Sequence, residues 1–192
     1  MFESFKTRAE AVSAEVHRFA TGAEASKFLA QFLDEEGVAA EPGKWAVWAT
    51  LPAERTLGID PGELAAKRPG LTLDVTREGA AHAKVGISTV EWGLADTGTV
   101  VQDATDVGLR LVSTLPEIHV ALLKTDRIVP DLADLLPRLT PESSRYIAFI
   151  TGPSRTADIE RVLTIGVHGP FRLVVLCVDG DAARPQAEGR PS

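Results

Sequence analysis

The sequence holds one cysteine, Cys177, among its 192 residues. A lone thiol builds no disulfide framework and cannot ligate an iron–sulfur cluster by itself. Cys177 lies inside the apolar run 173–178, where it reads as a small buried hydrophobe. Long apolar runs are missing too. No segment approaches the ~20 residues needed to span a bilayer, and no apolar h-region stands near the N-terminus. No membrane span and a cytoplasmic address are therefore expected. Basic residues are in deficit, 20 Lys and Arg against 27 Asp and Glu, for a net charge of −7. A phosphate-backbone partner would be repelled overall, so no nucleic acid is expected, although a local basic pocket is compatible with that balance. There is no GxSxG elbow, no Walker loop and no GxGxxG dinucleotide fingerprint. His119, His168 and the scattered acids have no recognised metal-ligand spacing, so no intrinsic metal or cofactor is expected.

What is present suits one ordinary domain. Apolar residues make up 44 % of the chain and mean hydropathy is +0.03; a chain of this length buries about 70 % of its unfolded surface. Residues 1–181 read as a single α/β domain without internal repeats. Residues 182–192 hold Pro, Gly, Gln and charges without a period and read as a disordered tail.

Along the chain, Phe5, Val12, Val16 and Phe19 predict a helix over 4–20, and Ala25, Phe28, Leu29, Phe32 and Leu33 predict another over 23–36, stopped by Gly37. Asp34, Glu35 and Glu36 crowd the end of that second helix, where the dipole prefers cations; local sequence gives no reason for them. Residues 44–51 read as a strand, and 52–79 give little beyond a short strand near 71–75. Residues 85–87 read as a strand, Ser88-Thr89 as a cap, 90–95 as one helical turn, Asp96-Thr97-Gly98 as a turn and 99–102 as a strand. Alternation of Leu109, Leu111 and Leu115 predicts a strand carrying Arg110 on its other face. Residues 118–123 read as a buried strand and 129–136 as a short helix.

The stretch 146–179 organises the rest. Residues 146–150 read as a strand buried on both faces; Ile159, Val162 and Leu163 give a helical stripe; 171–178 is a second apolar strand. Together they predict a right-handed βαβ unit. Ligands of open α/β sheets sit outside the carboxyl ends of strands, where the next helix starts and its free N–H groups favour an anion. The turn 151–156 fits that role: Gly152 admits close approach, Ser154 and Thr156 carry hydroxyls, and Arg155 suits phosphate or carboxylate. Capping by Ser154 or Thr156 explains the same residues without a ligand.

Glu91 and Asp96 are candidate acid–base carboxylates that converge only if the chain bends near Ala95. A helix-start charge and an Asx turn are their structural alternatives. Arg110 either pairs with an acid or meets a ligand. His119, in an apolar strand, is either a satisfied core imidazole or a base or ligand group.

Two blocks, GISTVEWGLADTGTVV (86–101) with RLVSTLPEIHVALL (110–123), and TGPSRTADIERVLTIGVHGPFRLVVL (151–176), resemble the lactate-utilisation protein C family, the LUD domain. The resemblance implies a three-layer α/β domain with a mostly parallel sheet, similar to the sugar-phosphate isomerase and coenzyme A transferase superfold, with N-terminal helices packed on it. It further implies a part in oxidising L-lactate to pyruvate beside two cysteine-rich partners, which would carry the iron–sulfur clusters. The matching polar positions are Glu91, Asp96, Arg110, His119, Ser154, Arg155, Thr156, Asp158 and His168. Glu91 and Asp96 exchange the side-chain lengths usual at their two positions, which weakens a strict role for either.

The expected function is thus a subunit of a lactate-oxidising iron–sulfur assembly that binds a small carboxylate or phosphorylated anion at a helix N-terminus. Gly152, Ser154, Arg155, Thr156 and Arg110 would hold the ligand, with Glu91, Asp96 and His119 as catalytic candidates. The alternative is a stand-alone enzyme acting on a phosphorylated metabolite or coenzyme A thioester, of isomerase, transferase or ligase type.

Overall fold

Helix α1 (Phe2–Ala11) buries Phe5 and Ala9. Ser13 then takes a positive φ of 71°, which breaks the helix and turns the chain into strand β1 (Ala14–Phe19). In this computed structural model the described residues are 1–50, 57–139, 145–157, 163–165 and 168–179, with side chains excluded at 156–157 and 163–165. The single helix expected over 4–20 is therefore a helix and a strand. Ala14 and Val16 bury together as a strand's alternate residues do.

Helix α2 (Gly22–Glu35) is capped by Thr21, whose hydroxyl accepts from Glu24 N at 3.2 Å, and it buries Ala25, Leu29, Phe32 and Leu33. Burying each of its larger apolar side chains stabilises by about 1.5–3 kcal/mol. There follow β2 (Ala46–Ala49), α3 (Pro61–Lys67, capped by Asp60), β3 (Leu71–Thr72), α4 (Arg77–Ala81, capped by Thr76), β4 (Val85–Val90), β5 (Trp92–Leu94) and β6 (Thr99–Asp103). The chain goes on through α5 (Val107–Thr114), β7 (Ile118–Lys124), β8 (Ile128–Val129) and α6 (Leu132–Leu135). Last come β9 (Ile147–Ile150), β10 (Arg155–Ala157), β11 (Leu163–Ile165) and β12 (Arg172–Val178).

The main sheet is entirely parallel, in the order β1-β12-β7-β4-β2-β3. On one face Val120, Leu122, Val174 and Leu176 pack with α2 and with Leu64 of α3. On the other, Ala121, Leu123, Val175 and Cys177 pack with Phe5 and Ala9 of α1. That second face is shared with α4 and α5, which cover Val47 and Ala49, and with a mixed sheet ordered β8-β5-β6-β9. Gly86 lets α5 lie directly on β4, since a Cβ there would stand 2.1 Å from the Val112 carbonyl oxygen. The fold is thus the expected three-layer α/β arrangement around a parallel sheet.

Several local expectations are overturned. Val107–Thr114 is a helix, not a strand: Asp106 caps it, accepting from Gly108 N at 2.6 Å, and Leu109, Val112 and Ser113 bury at helical spacing. Ser88 does not cap a helical turn over 90–95 but sits in the middle of the fully buried β4, followed by β5. The helix expected over 129–136 shrinks to α6 behind the bridge strand β8. The βαβ unit is not formed. β9 runs antiparallel to β6 with Phe149 48 % exposed, and β10 pairs antiparallel with β11 where a helix was expected to begin. Ile159, Val162, Asp158 and the expected tail 182–192 lie outside the described residues.

The acids at the end of α2 gain a reason from tertiary partners. Arg68 reaches Asp34 at 3.0 and 3.1 Å, Gln31 donates to Glu35 at 2.7 Å, and Glu36 receives Arg172 at 2.6 Å and Lys84 at 3.1 Å. Cations brought from elsewhere in the fold offset the unfavourable dipole.

Candidate functional site

A cleft of about 370 Å³ opens between the turn after β9, the turn before β12 and the C-terminal end of α5. Its volume falls in the range of small-molecule sites, about 300–1,000 Å³. It lies at the carboxyl end of β9 but near the amino ends of β7 and β12, where His119 pairs in register with Leu173, rather than outside the carboxyl ends of the main sheet's strands.

The two turns are held together by backbone. Ser154 N donates to the Pro170 carbonyl at 2.8 Å, and a Cβ on Gly169 would meet the Ser154 side chain at 3.0 Å. Gly152 has φ +71° and packs against the α1–β1 loop, so its small size serves that contact rather than ligand approach. Arg155 Nη2 donates to the Val12 carbonyl at 2.7 Å and to Ser13 Oγ at 2.9 Å, fixing the hairpin strand to the same loop. Because β10 is a strand, the helix N-terminus expected at 154–156 does not exist, and no helix dipole serves an anion there. The side chain of Thr156 lies outside the described residues.

The expected residues divide. Gly152, Ser154, Arg155, His119 and His168 line the cleft together; Glu91, Asp96 and Arg110 do not. Glu91 Oε2 accepts from Asp103 N at 2.6 Å, tying the β4–β5 junction to the end of β6. Asp96 is exposed in its turn, where its N donates to the Pro130 carbonyl and its carboxylate accepts from Thr97. Arg110 donates through Nη1 to the Ala104 and Thr105 carbonyls and stacks over Tyr146 at 5.2 Å. The hollow shared by Arg155, Glu91 and Arg110 is therefore not formed, and among the described residues no carboxylate lines the cleft.

His119 forms its inner wall. It is 1 % exposed, and burial pushes its pKa down to about 4, so the imidazole is neutral near pH 7. Its Nε2 stands 2.8 Å from Ser88 Oγ, which also receives Gln102 Nε2 at 2.7 Å. With Ser88 wholly buried, this pair is no accessible nucleophile and base. Sequence reasoning missed Ser88, Gln102, Ser113 and Thr114. The signal for Ser88 was a hydroxyl inside an unbroken apolar strand, which needs a buried partner. A second cleft, of about 490 Å³ between α2 and α3, is lined by Lys27 and by charges engaged elsewhere: Lys67 with Glu63, Arg68 with Asp34, and Asp60 at the α3 cap.

Among the described residues no helix is long and apolar enough to cross a membrane. The chain is similar to a lactate utilization protein C of Exiguobacterium sp., 34 % identical over 111 residues, which covers 55 % of this chain and 48 % of that protein. It is 38 % identical over 108 residues to a lactate utilization protein C of Bacillus velezensis, covering 53 % and 45 %. The match thus spans about half the length of these relatives. A crystal structure of a DUF162 family protein from Deinococcus radiodurans shares the fold, with a TM-score of 0.62 at 18 % identity over 92 % of this chain and 95 % of that one. The family model of the LUD domain matches residues 2–178, and the chain belongs to the LUD domain family.

Proposed function

We propose that this chain serves lactate utilisation by holding a small carboxylate in the cleft between the turn 151–155 and α5. The observation that supports the reading is the lining: Ser154, Arg155, His168 and Thr114 meet His119 there, and among the described residues no carboxylate joins them. In a chain of net charge −7, such a hollow favours an anion over a cation. Membership of the LUD domain family and relatives named lactate utilization protein C support the pathway. The redox centres belong, in this reading, to two cysteine-rich iron–sulfur partners, because the buried Cys177 is a poor metal ligand. A cytoplasmic location goes with it.

The alternative, a self-sufficient enzyme on a phosphorylated metabolite or coenzyme A thioester, loses its proposed carboxylate machinery because Glu91 and Asp96 stand outside the cleft. Calorimetry of the purified chain with L-lactate and pyruvate tests the ligand: saturable binding weakened by Arg155→Ala is expected. A pull-down from lactate-grown cells tests the assembly. Turnover of a phosphorylated metabolite by the isolated chain, without carboxylate binding, would overturn the reading.

A further inference from the structure

Gln102, Ser88 and His119 form a polar chain under the cleft, and its direction follows from the donors. With the Gln102 amide oriented so that its nitrogen faces Ser88 and its Oε1 is buried without a hydrogen-bond partner, Ser88 Oγ accepts from that nitrogen at 2.7 Å. The Ser88 proton then has one described acceptor, His119 Nε2 at 2.8 Å. A neutral imidazole that accepts at Nε2 carries its proton on Nδ1. His119 Nδ1 is buried and has no hydrogen-bond partner. An orphaned buried N–H is rare in native proteins, and this one belongs to a cleft-lining side chain that is 1 % exposed.

We infer that His119 Nδ1–H is a specificity-determining donor to the oxygen on carbon 2 of a small 2-oxo or 2-hydroxy carboxylate bound in the cleft. The inference rests on the carboxylate reading above and deepens it. An uncharged donor at the inner wall suits an uncharged oxygen, while the carboxylate stays at the end of the cleft carrying Arg155 and His168, both exposed. Ser88 and Gln102 act through the imidazole: they set which nitrogen bears the proton and are positioning residues.

The experiment pairs ¹⁵N NMR of the imidazole rings of the full chain with calorimetry against pyruvate, L-lactate and propionate, the last lacking an oxygen on carbon 2. The expected result is the Nδ1–H tautomer for His119, and pyruvate or lactate binding roughly three- to tenfold tighter than propionate, the range of one neutral hydrogen bond. Ser88→Ala removes the group that fixes the tautomer. It should shift the ring toward Nε2–H and erase the preference while propionate affinity holds, a pattern general destabilisation would not give. His119→Phe should equalise the three carboxylates, with circular dichroism checking the fold. An Nε2–H tautomer in the native chain, or equal binding of all three to it, overturns the inference and leaves the carboxylate site standing. No binding of any carboxylate overturns that site and the inference with it.

Discussion

Arg172 Nη1 lies 2.6 Å from Glu36 Oε1, and the same guanidinium clasps Glu15 through Nε at 2.8 Å and Nη2 at 3.1 Å. Three elements meet there: the start of β12, the edge strand β1 and the end of α2. Only 18 % of the Glu36 side chain is exposed, so losing Arg172 leaves a poorly solvated charge with Lys84, at 3.1 Å, as its remaining cation. Arg172→Ala is expected to destabilise by about 2 kcal/mol in urea unfolding, and Glu15→Ala, whose side chain is 42 % exposed, by less than about 1 kcal/mol. Equal costs would mean that Glu36 contributes nothing special.

The same carboxylate sets an acid limit. Burial works to raise the Glu36 pKa, but hydrogen bonds from Arg172 and Lys84 outweigh it and hold the group below its ordinary 4.5. A carboxyl depressed in the fold binds fewer protons there than in the unfolded chain. Its stabilisation is therefore full above 4.5 and is lost as pH falls through the lower folded value. Glu36→Gln should flatten the urea midpoint below pH 4.5 relative to the parent.

His119 acts in a higher window. Its pKa falls from 6.5 unfolded to about 4 folded, so between those values the unfolded chain takes up a proton that the fold refuses. Stability should be complete above pH 6.5 and decline down to pH 4 by about 3 kcal/mol. His17, lowered by burial, adds a smaller slope of the same sign. His119→Gln should remove most of the slope between pH 6.5 and 4. An unchanged slope would mean that His119 is hydrated in the native state.

These groups mark what the sequence made legible. The buried strand at 118–123 and the α2 stripe could be read because burial on two faces, or on one helical face, writes itself into local periodicity. The segment 107–114 misled because Leu109, Leu111 and Leu115 alternate, while the deciding contact, Gly86 beneath Val112, is tertiary. The turn expected over 151–156 is a bend that runs into β10 at Arg155, and its partners come from Val12, Ser13 and Pro170, far away in the chain. A helix start and a hairpin strand share the same Gly-Pro-Ser opening. Pairing of β10 with β11 decides between them, and no local rule sees it.

Cys177 packs between the main sheet and α1, and burial pushes its thiol pKa up to about 12. The thiolate that reacts with disulfide reagents is then scarce near neutral pH. The native chain should react with an aromatic disulfide reagent at least about a hundredfold more slowly than the urea-unfolded chain. Cys177→Ser should cost about 1–3 kcal/mol by placing a hydroxyl in an apolar site. Fast reaction of the native thiol would contradict the buried position and reopen a role for Cys177 with a metal or cluster.

Gly152 and Gly37 separate backbone strain from steric contact. Both take positive φ, 71° and 68°, but a Cβ on Gly152 would stand 2.3 Å from the Val12 carbonyl oxygen, whereas one on Gly37 meets nothing within 4 Å. Gly37→Ala is expected to cost about 1 kcal/mol, the strain of a left-handed residue alone. Gly152→Ala should cost about 2–3 kcal/mol, because the Val12 carbonyl is backbone and also accepts the Arg155 hydrogen bond, so neither side yields cheaply. The turn bearing Ser154 and Arg155 would shift with it. Carboxylate affinity should fall in Gly152→Ala and stay at the parent's level in Gly37→Ala; equal affinity in both would mean that the turn does not shape the cleft.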